Sequence, residues 1–501
     1  MGVKQKNEKK ISFVLVGFVV LFTLTSVFLR AQDNPTEIEE KVGPFIKNIM
    51  KSYELPGLAV SIVKDNKIVY AKGFGVKNLE TKEPVTEKSL FHMASVSKPF
   101  SATAIMQFVE KGKVDLDDPV VKYLPYFKVN DERYKEITIR QMLSHISGMP
   151  DVRDYEWDKP VYDDGAAERY VRSLTDKELI AAPGEMFAYS NMAFEVLGDL
   201  IAKVSCMSFE DYVKTNILDH LGMEESTFLK KKVSPDLATT PHVMGLKIKV
   251  SDIYPYHRAH APSSTLHSNV LEMCNWAMAN MNRGVLGGKC ILKPESYDVL
   301  WEPAKLNNGE TTMVGLSWFL RTYREIDTVF HSGGDVGYRT FFVMMPEKKA
   351  AAVVLSNCDF APTGNIAIAA LFLALGLDPP PVPPPPIRAA IGKAIAEKGV
   401  DAAIKIYHEL KENSPKSFDF GPRQLNRLGY QLLEMKRIED AIKIFQLNIE
   451  VYPKNANCHD SLGEAYLKAG DKENAIKYYE KALELDPKMG TAIEALKKPR
   501  N

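Results

Sequence analysis

The sequence predicts an α+β fold for its larger part, a single antiparallel sheet flanked by helices, followed by a separate all-α repeat domain. Three observations carry this. Strand-like runs stand at both ends of the region from Asn34 to Asp378 with helical sequence between them, the pattern of one sheet joined from both termini. A proline run, Pro379 to Pro386, then interrupts the chain. Beyond it, residues recur at a fixed offset of 34.

Taken in order, the chain opens with Lys4, Lys6, Lys9 and Lys10, followed by nineteen uncharged, mostly apolar residues from Ile11 to Leu29. Residues 1–33 read as an export segment, either a signal cleaved near Ala31 or a retained anchor, since residues 11–29 suffice to span a bilayer. Either form sends the rest to the periplasm or cell envelope, in the second case anchored to the inner membrane. A hairpin follows, with Leu58 to Val63 and Ile68 to Ala71 flanking the turn-forming Asp65-Asn66. At the far end of this region, Val314 to Tyr323, Thr328 to His331, Tyr338 to Met345 and Ala350 to Ser356 read as strands. The run from Asn365 to Leu375 reads as an apolar helix.

Residues 379–387 form a proline-rich linker, expected to be extended and semi-rigid because proline supports neither helix interior nor central strand. In residues 388–501, Leu428-Gly429 returns as Leu462-Gly463, Ala441 as Ala475 and Pro453 as Pro487. That is the period of a tetratricopeptide repeat, with small residues where paired helices approach and a proline where one ends. A looser copy spans Asp401 to Pro415. Such units bury their faces only by stacking, so the array is expected to lean on the first domain or on a protein partner.

Composition removes several classes. Hydrophobic residues at 45% and charged residues at 26% are ordinary for globular chains. Lys+Arg and Asp+Glu balance at 64 each, so no bulk charge draws the chain to nucleic acid. Five cysteines without C-x-x-C spacing support neither a zinc site nor a disulfide framework. His257 and His260 lack acidic or cysteine partners at metal spacing, so no metal and no cofactor is expected.

The chemistry gathers in three short motifs. Ser95-Val-Ser-Lys98 opens an amphipathic run, which places the amine one turn beyond the hydroxyl on the same face. A serine needs an adjacent base to become a nucleophile at neutral pH. A second copy, Ser61 to Lys64, lies in a strand pattern where the two side chains point to opposite faces, and is rejected. Tyr189-Ser-Asn191 is the only Y-x-N. Its phenol can carry a proton if lysine lowers its pKa, and its amide can orient substrate and Lys98. His331-Ser332-Gly333-Gly334 lies between two strand runs, where small residues let a substrate lie along the edge and a backbone N–H can complete an oxyanion hole. Taken singly, Ser95 could be a helix cap, Tyr189 and Asn191 a core aromatic and a cap, and His331 a strand-end residue. His145 reads as structural, within a capped turn.

In this order the motifs resemble those of class C beta-lactamases and their relatives, the D-alanyl-D-alanine peptidases and esterases. Leu143 to Pro150 and Val114 to Pro119 also look like family segments, and the likeness spans roughly Thr36 to Leu377. The resemblance implies a metal-free hydrolase acting on an amide or ester (a D-amino-acid peptide, an acyl ester or a beta-lactam) through an acyl-enzyme. Ser95 would be the nucleophile, Lys98 and Tyr189 the proton-transfer pair, and Asn191 a positioning residue. The N–H groups of Ser95 and Gly334 would hold the oxyanion, and His331, Ser332 and Gly333 would bind substrate. Histidine at 331 departs from the lysine usual in efficient beta-lactamases and resembles the peptidase and esterase members. No S-D-N triplet exists, so the class A pattern is unsupported. The rival expectation is a penicillin- or peptidoglycan-binding sensor or scaffold that acts through its repeats.

Overall fold

The computed structural model describes residues 1–2 and 35–497; the expected export segment lies outside the described residues. Among the described residues no helix is long and apolar enough to cross a membrane. The order begins with α1 (Pro35–Tyr53), β1 (Gly57–Lys64), β2 (Lys67–Gly75), α2 (Lys98–Glu110), α3 (Asn191–Ser205) and α4 (Val270–Met281). It continues with β3 (Phe319–Tyr323), β4 (Ile326–Asp335), β5 (Tyr338–Met345), β6 (Ala350–Ser356) and α5 (Thr363–Ala374).

The strands form one sheet in the order β2-β1-β6-β5-β4-β3, antiparallel at every pairing. The N-terminal hairpin therefore joins the C-terminal meander through β1 and β6, with Leu58 opposite Ser356 and Lys64 opposite Ala350. Strand alternation divides β1 between two cores. Ala59 and Val63 join the larger core, which includes residues of α2, α3 and α4, while Leu58, Val60 and Ile62 join the core shared with α1 and α5. Both faces of the sheet are thus covered, and β1 and β6 are apolar along nearly their whole length.

One strand is shorter than its sequence suggests. Of Val314 to Tyr323 only Phe319–Tyr323 is strand, because the chain turns at Gly315–Trp318. A Cβ on Gly315 would stand 2.2 Å from the Leu300 carbonyl oxygen, Ser317 has a φ of 73°, and Trp318 is fully buried. Close approach and aromatic burial override β-propensity there. Conversely, β4 runs on to Asp335, and β3 pairs with it only as far as Phe330. From His331 onward the cleft side of β4 is therefore free of β3.

Residues 378–385 carry no helix or strand. They are not free-standing, since the Tyr53 hydroxyl donates to the Pro383 carbonyl at 2.8 Å and Val382 packs against the core beneath α1 and α5. Among the described residues seven helices follow: α6 (Ile387–Lys398), α7 (Val400–Asn413), α8 (Pro422–Glu434), α9 (Ile438–Val451), α10 (Ala456–Ala469), α11 (Lys472–Leu485) and α12 (Gly490–Lys497). The repeated glycines have a steric cause. A Cβ on Gly429 would lie 2.4 Å from the Phe445 ring, and one on Gly463 would lie 3.1 Å from Tyr479, itself 34 residues beyond Phe445. The first helix pair leans on the sheet domain. Leu246, in the loop between the short strands His242–Met244 and Ile248–Val250, is buried with Ile387 and Ile391, and Gln431 Nε2 donates to the Met244 carbonyl at 3.0 Å.

Candidate active site

Ser95 lies in a single 3₁₀ turn, Ala94–Ser97, that runs directly into α2. Ala94 holds the left-handed φ of 49° to make that turn, a strained conformation for a residue with a Cβ. The surroundings over-determine it. Met93 donates its N–H to Leu266 at 2.7 Å and accepts on its carbonyl from Thr340 Oγ1 at 2.7 Å, while Ser97 Oγ accepts from the Leu266 N–H at 3.0 Å. The half-buried Ser95 is thus presented on a rigid turn.

Lys98 is fully buried. Its ammonium donates to Ser95 Oγ at 3.0 Å, Asn191 Oδ1 at 2.5 Å and the Ser263 carbonyl at 2.9 Å, which uses all its protons. Burial pulls its pKa down to about 8, against the opposing pull of Glu195, Asp335 and Asp151. Asn191 opens α3 behind the Ser190 cap, and Asp151 Oδ1 accepts from both its backbone N–H (2.8 Å) and its amide (2.9 Å). Those bonds fix which way the amide points and turn its oxygen toward Lys98.

The Tyr189 ring stacks on His145 with centroids 4.2 Å apart, and Lys98 Nζ stands 5.0 Å from its centre. Its pKa is raised, first by burial, with a hydrogen bond to Ser95 opposing. This corrects the expectation of a lysine-lowered phenol. Desolvation of the phenolate, with the carboxylates Asp151, Asp335 and Glu195, keeps the phenol protonated, and the group brought closer to neutrality is Lys98. His145 is buried, accepts from the Ser190 N–H at 3.1 Å on Nδ1, and is held neutral by burial, which carries its pKa well below the ordinary value. It orients the Tyr189–Asn191 segment.

His331 and Gly333 lie on the face of β4 that meets the Ser95 turn. Gly333 has no alternative there, since a Cβ would be 2.3 Å from the Met93 carbonyl oxygen and 2.2 Å from Thr340 Oγ1. His331 is buried, donates from Nδ1 to the Ser332 carbonyl at 2.7 Å, and has an enclosed Nε2 without a partner. Burial and then Lys98 bring its pKa down to about 3, so the ring is neutral at physiological pH. Ser332 is exposed, and by strand alternation it and Gly334 lie on the opposite face, where the position of a Gly334 Cβ is 2.7 Å from the Arg339 guanidinium.

Several residues around this centre were missed by reasoning from local spacing. Glu195, one turn beyond Asn191, is buried, accepts from Ser263 Oγ at 2.6 Å and pairs with His260 Nδ1 at 3.0 Å. The signal was two acidic residues, Glu195 and Asp199, in the mostly apolar stretch from Met192 to Ala202. Asp335 and His92 adjoin the motifs in sequence, but their hydrogen bond to each other joins stretches 243 residues apart, and Asp151 meets Asn191 from 40 residues away, so spacing marks none of them. Among the described residues no group of three or more His, Cys, Asp or Glu is placed to hold a metal ion.

A three-layer α/β/α domain with its lysine-paired serine at the edge of an antiparallel sheet defines a beta-lactamase or transpeptidase-type protein. The chain belongs to the beta-lactamase family, whose profile matches residues 43–375, and a tetratricopeptide repeat profile matches residues 424–488. Penicillin-binding protein 4* of Bacillus subtilis is 29% identical over 308 residues, 58% of this chain and 65% of that protein. Protein flp of Staphylococcus aureus is 25% identical over 328 residues, 64% of this chain and 63% of that one. The chain thus spans less than two thirds of the length of these curated relatives. Among solved structures, the octameric penicillin-binding protein homologue from Pyrococcus abyssi is 31% identical, with a TM-score of 0.60 over 68% of this chain and 78% of that one. SurE, at 23% identity and a TM-score of 0.58 over 70% and 79% of the two chains, shares the fold.

Proposed function

We propose that the chain is a serine hydrolase that cleaves an amide or ester through an acyl-enzyme on Ser95. The observation that carries this reading is the buried Lys98 amine 3.0 Å from Ser95 Oγ with a pKa of about 8. In its neutral form Lys98 takes the Ser95 proton as Oγ attacks the substrate carbonyl carbon. The oxyanion is held by the N–H groups of Ser95 and Gly334. Tyr189, a phenol at neutral pH, relays a proton to the departing amine or alkoxide as the C–N or C–O bond breaks. Water then attacks the acyl carbon, gives up a proton to the Lys98–Tyr189 pair, and releases the acid with Ser95 restored.

Residues 34–378 form the hydrolase domain of this reading, residues 379–387 its link to the repeats, and residues 388–501 a surface for a protein partner, the role that tetratricopeptide repeats suggest. An exported, cell-envelope setting accords with the amino-terminal sequence. Neutral His331 favours a peptidase or esterase over an efficient beta-lactamase.

Intact-protein mass spectrometry after exposure to a fluorophosphonate, a penicillin and a nitrophenyl ester tests the reading. One adduct per chain is expected, absent from Ser95→Ala, with the ester adduct decaying as product accumulates. An adduct that persists without turnover would favour the sensor. Labelling of Ser95→Ala as fast as the parent would refute the nucleophile.

A further inference from the structure

We infer that Asp335 is a specificity-determining residue of this cleft, reading a protonated amine that the substrate carries beside the carbonyl attacked by Ser95; the inference rests on the Ser95 reading above. Asp335 ends β4 and shares the strand face of His331 and Gly333, toward the Ser95 turn. Its Oδ2 accepts from His92 Nε2 at 2.8 Å and from Ser264 Oγ. Both donors are buried, so the carboxylate is held in one orientation. Those bonds leave Oδ1 unused, and the side chain keeps 11% of its surface exposed.

The cationic side chains described beside Ser95 and Asp335 have their donors engaged within the protein. The Lys98 protons go to Ser95, Asn191 and Ser263. His331 is neutral, with its Nδ1 proton on the Ser332 carbonyl, so its unpartnered Nε2 is an acceptor. The Arg339 guanidinium donates to the backbone carbonyls of Asp335 and Tyr338, across Gly334 on the other strand face. A second carboxylate, Asp151, adjoins Asn191, and the Tyr155 phenol feels both Asp151 and Asp335. A substrate carboxylate would meet acceptors and like charge here. An ammonium would meet the free oxygen of Asp335, with the Tyr155 ring close by. The substrate class is an aminoacyl ester or amide with a free α-amine.

The test uses the full chain and two substrates, D-alanine methyl ester and N-acetyl-D-alanine methyl ester, with the ratio of their kcat/KM values as the readout. A preference of about tenfold or more for the free amine is expected below pH 7, fading as pH rises past the α-amino pKa of about 8. Asp335→Asn can still accept from His92 and Ser264 yet loses the charge, so it should bring the ratio near one, while Asp335→Glu retains part of the preference. A parent ratio near one, or a full preference surviving in Asp335→Asn, would overturn the proposal. If circular dichroism shows Asp335→Asn unfolded, the pH dependence of the parent ratio decides. Fluorophosphonate labelling of Ser95 separates the two claims. Labelling with no amine preference, or with no turnover of the amine ester, sinks the Asp335 assignment alone, whereas no labelling sinks the Ser95 reading and takes this one with it.

Discussion

At the residue scale the site is an arrangement of charge that burial has made expensive. Lys98 is enclosed, its donors are spent inside the site, and desolvation brings it to a pKa of about 8. If it is the base for Ser95, kcat/KM rises with pH through that value, since only the unprotonated amine can accept. Lys98→Arg should remove the rise and slow acylation by orders of magnitude, because a guanidinium stays charged. His331 is neutral above a pKa of about 3, so His331→Gln should leave the midpoint of the profile near 8; a midpoint moved by a full unit would mean that the histidine titrates with the lysine. The pairing of Ser95 with Lys98 was legible from helix periodicity, and Tyr189, Asn191 and His331 stood out as short motifs that the fold gathers around that pair. The contacts of Asp335, Asp151 and His92 were not legible: Asp335 and His92 adjoin the motifs in sequence, but the hydrogen bond that joins them spans 243 residues, and Asp151 meets Asn191 from 40 residues away, while Glu195 left only the trace of an acid inside a buried helix.

At the scale of elements, the site depends on two segments held within contact distance, the turn carrying Ser95 and the end of β4. Gly333 is the point of closest approach. Gly333→Ala would push its Cβ into the Met93 carbonyl and Thr340 Oγ1, and overpacking of this kind costs about 1–3 kcal/mol. A lowered melting temperature, together with fluorophosphonate labelling slowed at least about tenfold, is the expected result. Gly198 plays the same part between α3 and the short helix Ala261–Ser264, since a Cβ there would lie 1.9 Å from Pro262 Cγ. The sheet itself was readable from apolar runs of strand length at both ends of the domain. The turn at Gly315–Trp318 was not, because nothing in Val-Gly-Leu-Ser-Trp reveals that the Leu300 carbonyl lies against Gly315.

Across the whole molecule, the repeats and the sheet domain share buried surface. Leu246 is inserted among Ile387, Ile391 and their neighbours, and a Cβ on Gly392 would stand 2.9 Å from its carbonyl oxygen. The ion pairs Lys393–Glu54 and Lys247–Glu397 are exposed and add little beside it. Leu246→Asp should therefore loosen the repeats by about 2–3 kcal/mol, seen as faster proteolysis within residues 378–386 and an earlier unfolding step for the helical domain. A single unchanged transition would show that the contact contributes nothing. The 34-residue period was plain in the sequence; the surface against which the first pair packs was not, since Leu246 lies far from the repeats along the chain.

If Ser95 is acylated with Lys98 as its base, the rate of adduct formation follows the protonation of that amine as pH changes. Rapid-quench mass spectrometry with an uncharged nitrophenyl ester, from pH 6 to 10, should give a single adduct whose rate rises to a plateau with a midpoint near 8, absent from Ser95→Ala and flat in Lys98→Arg. A rate independent of pH across that range in the parent, or an adduct that survives Ser95→Ala, would contradict the account.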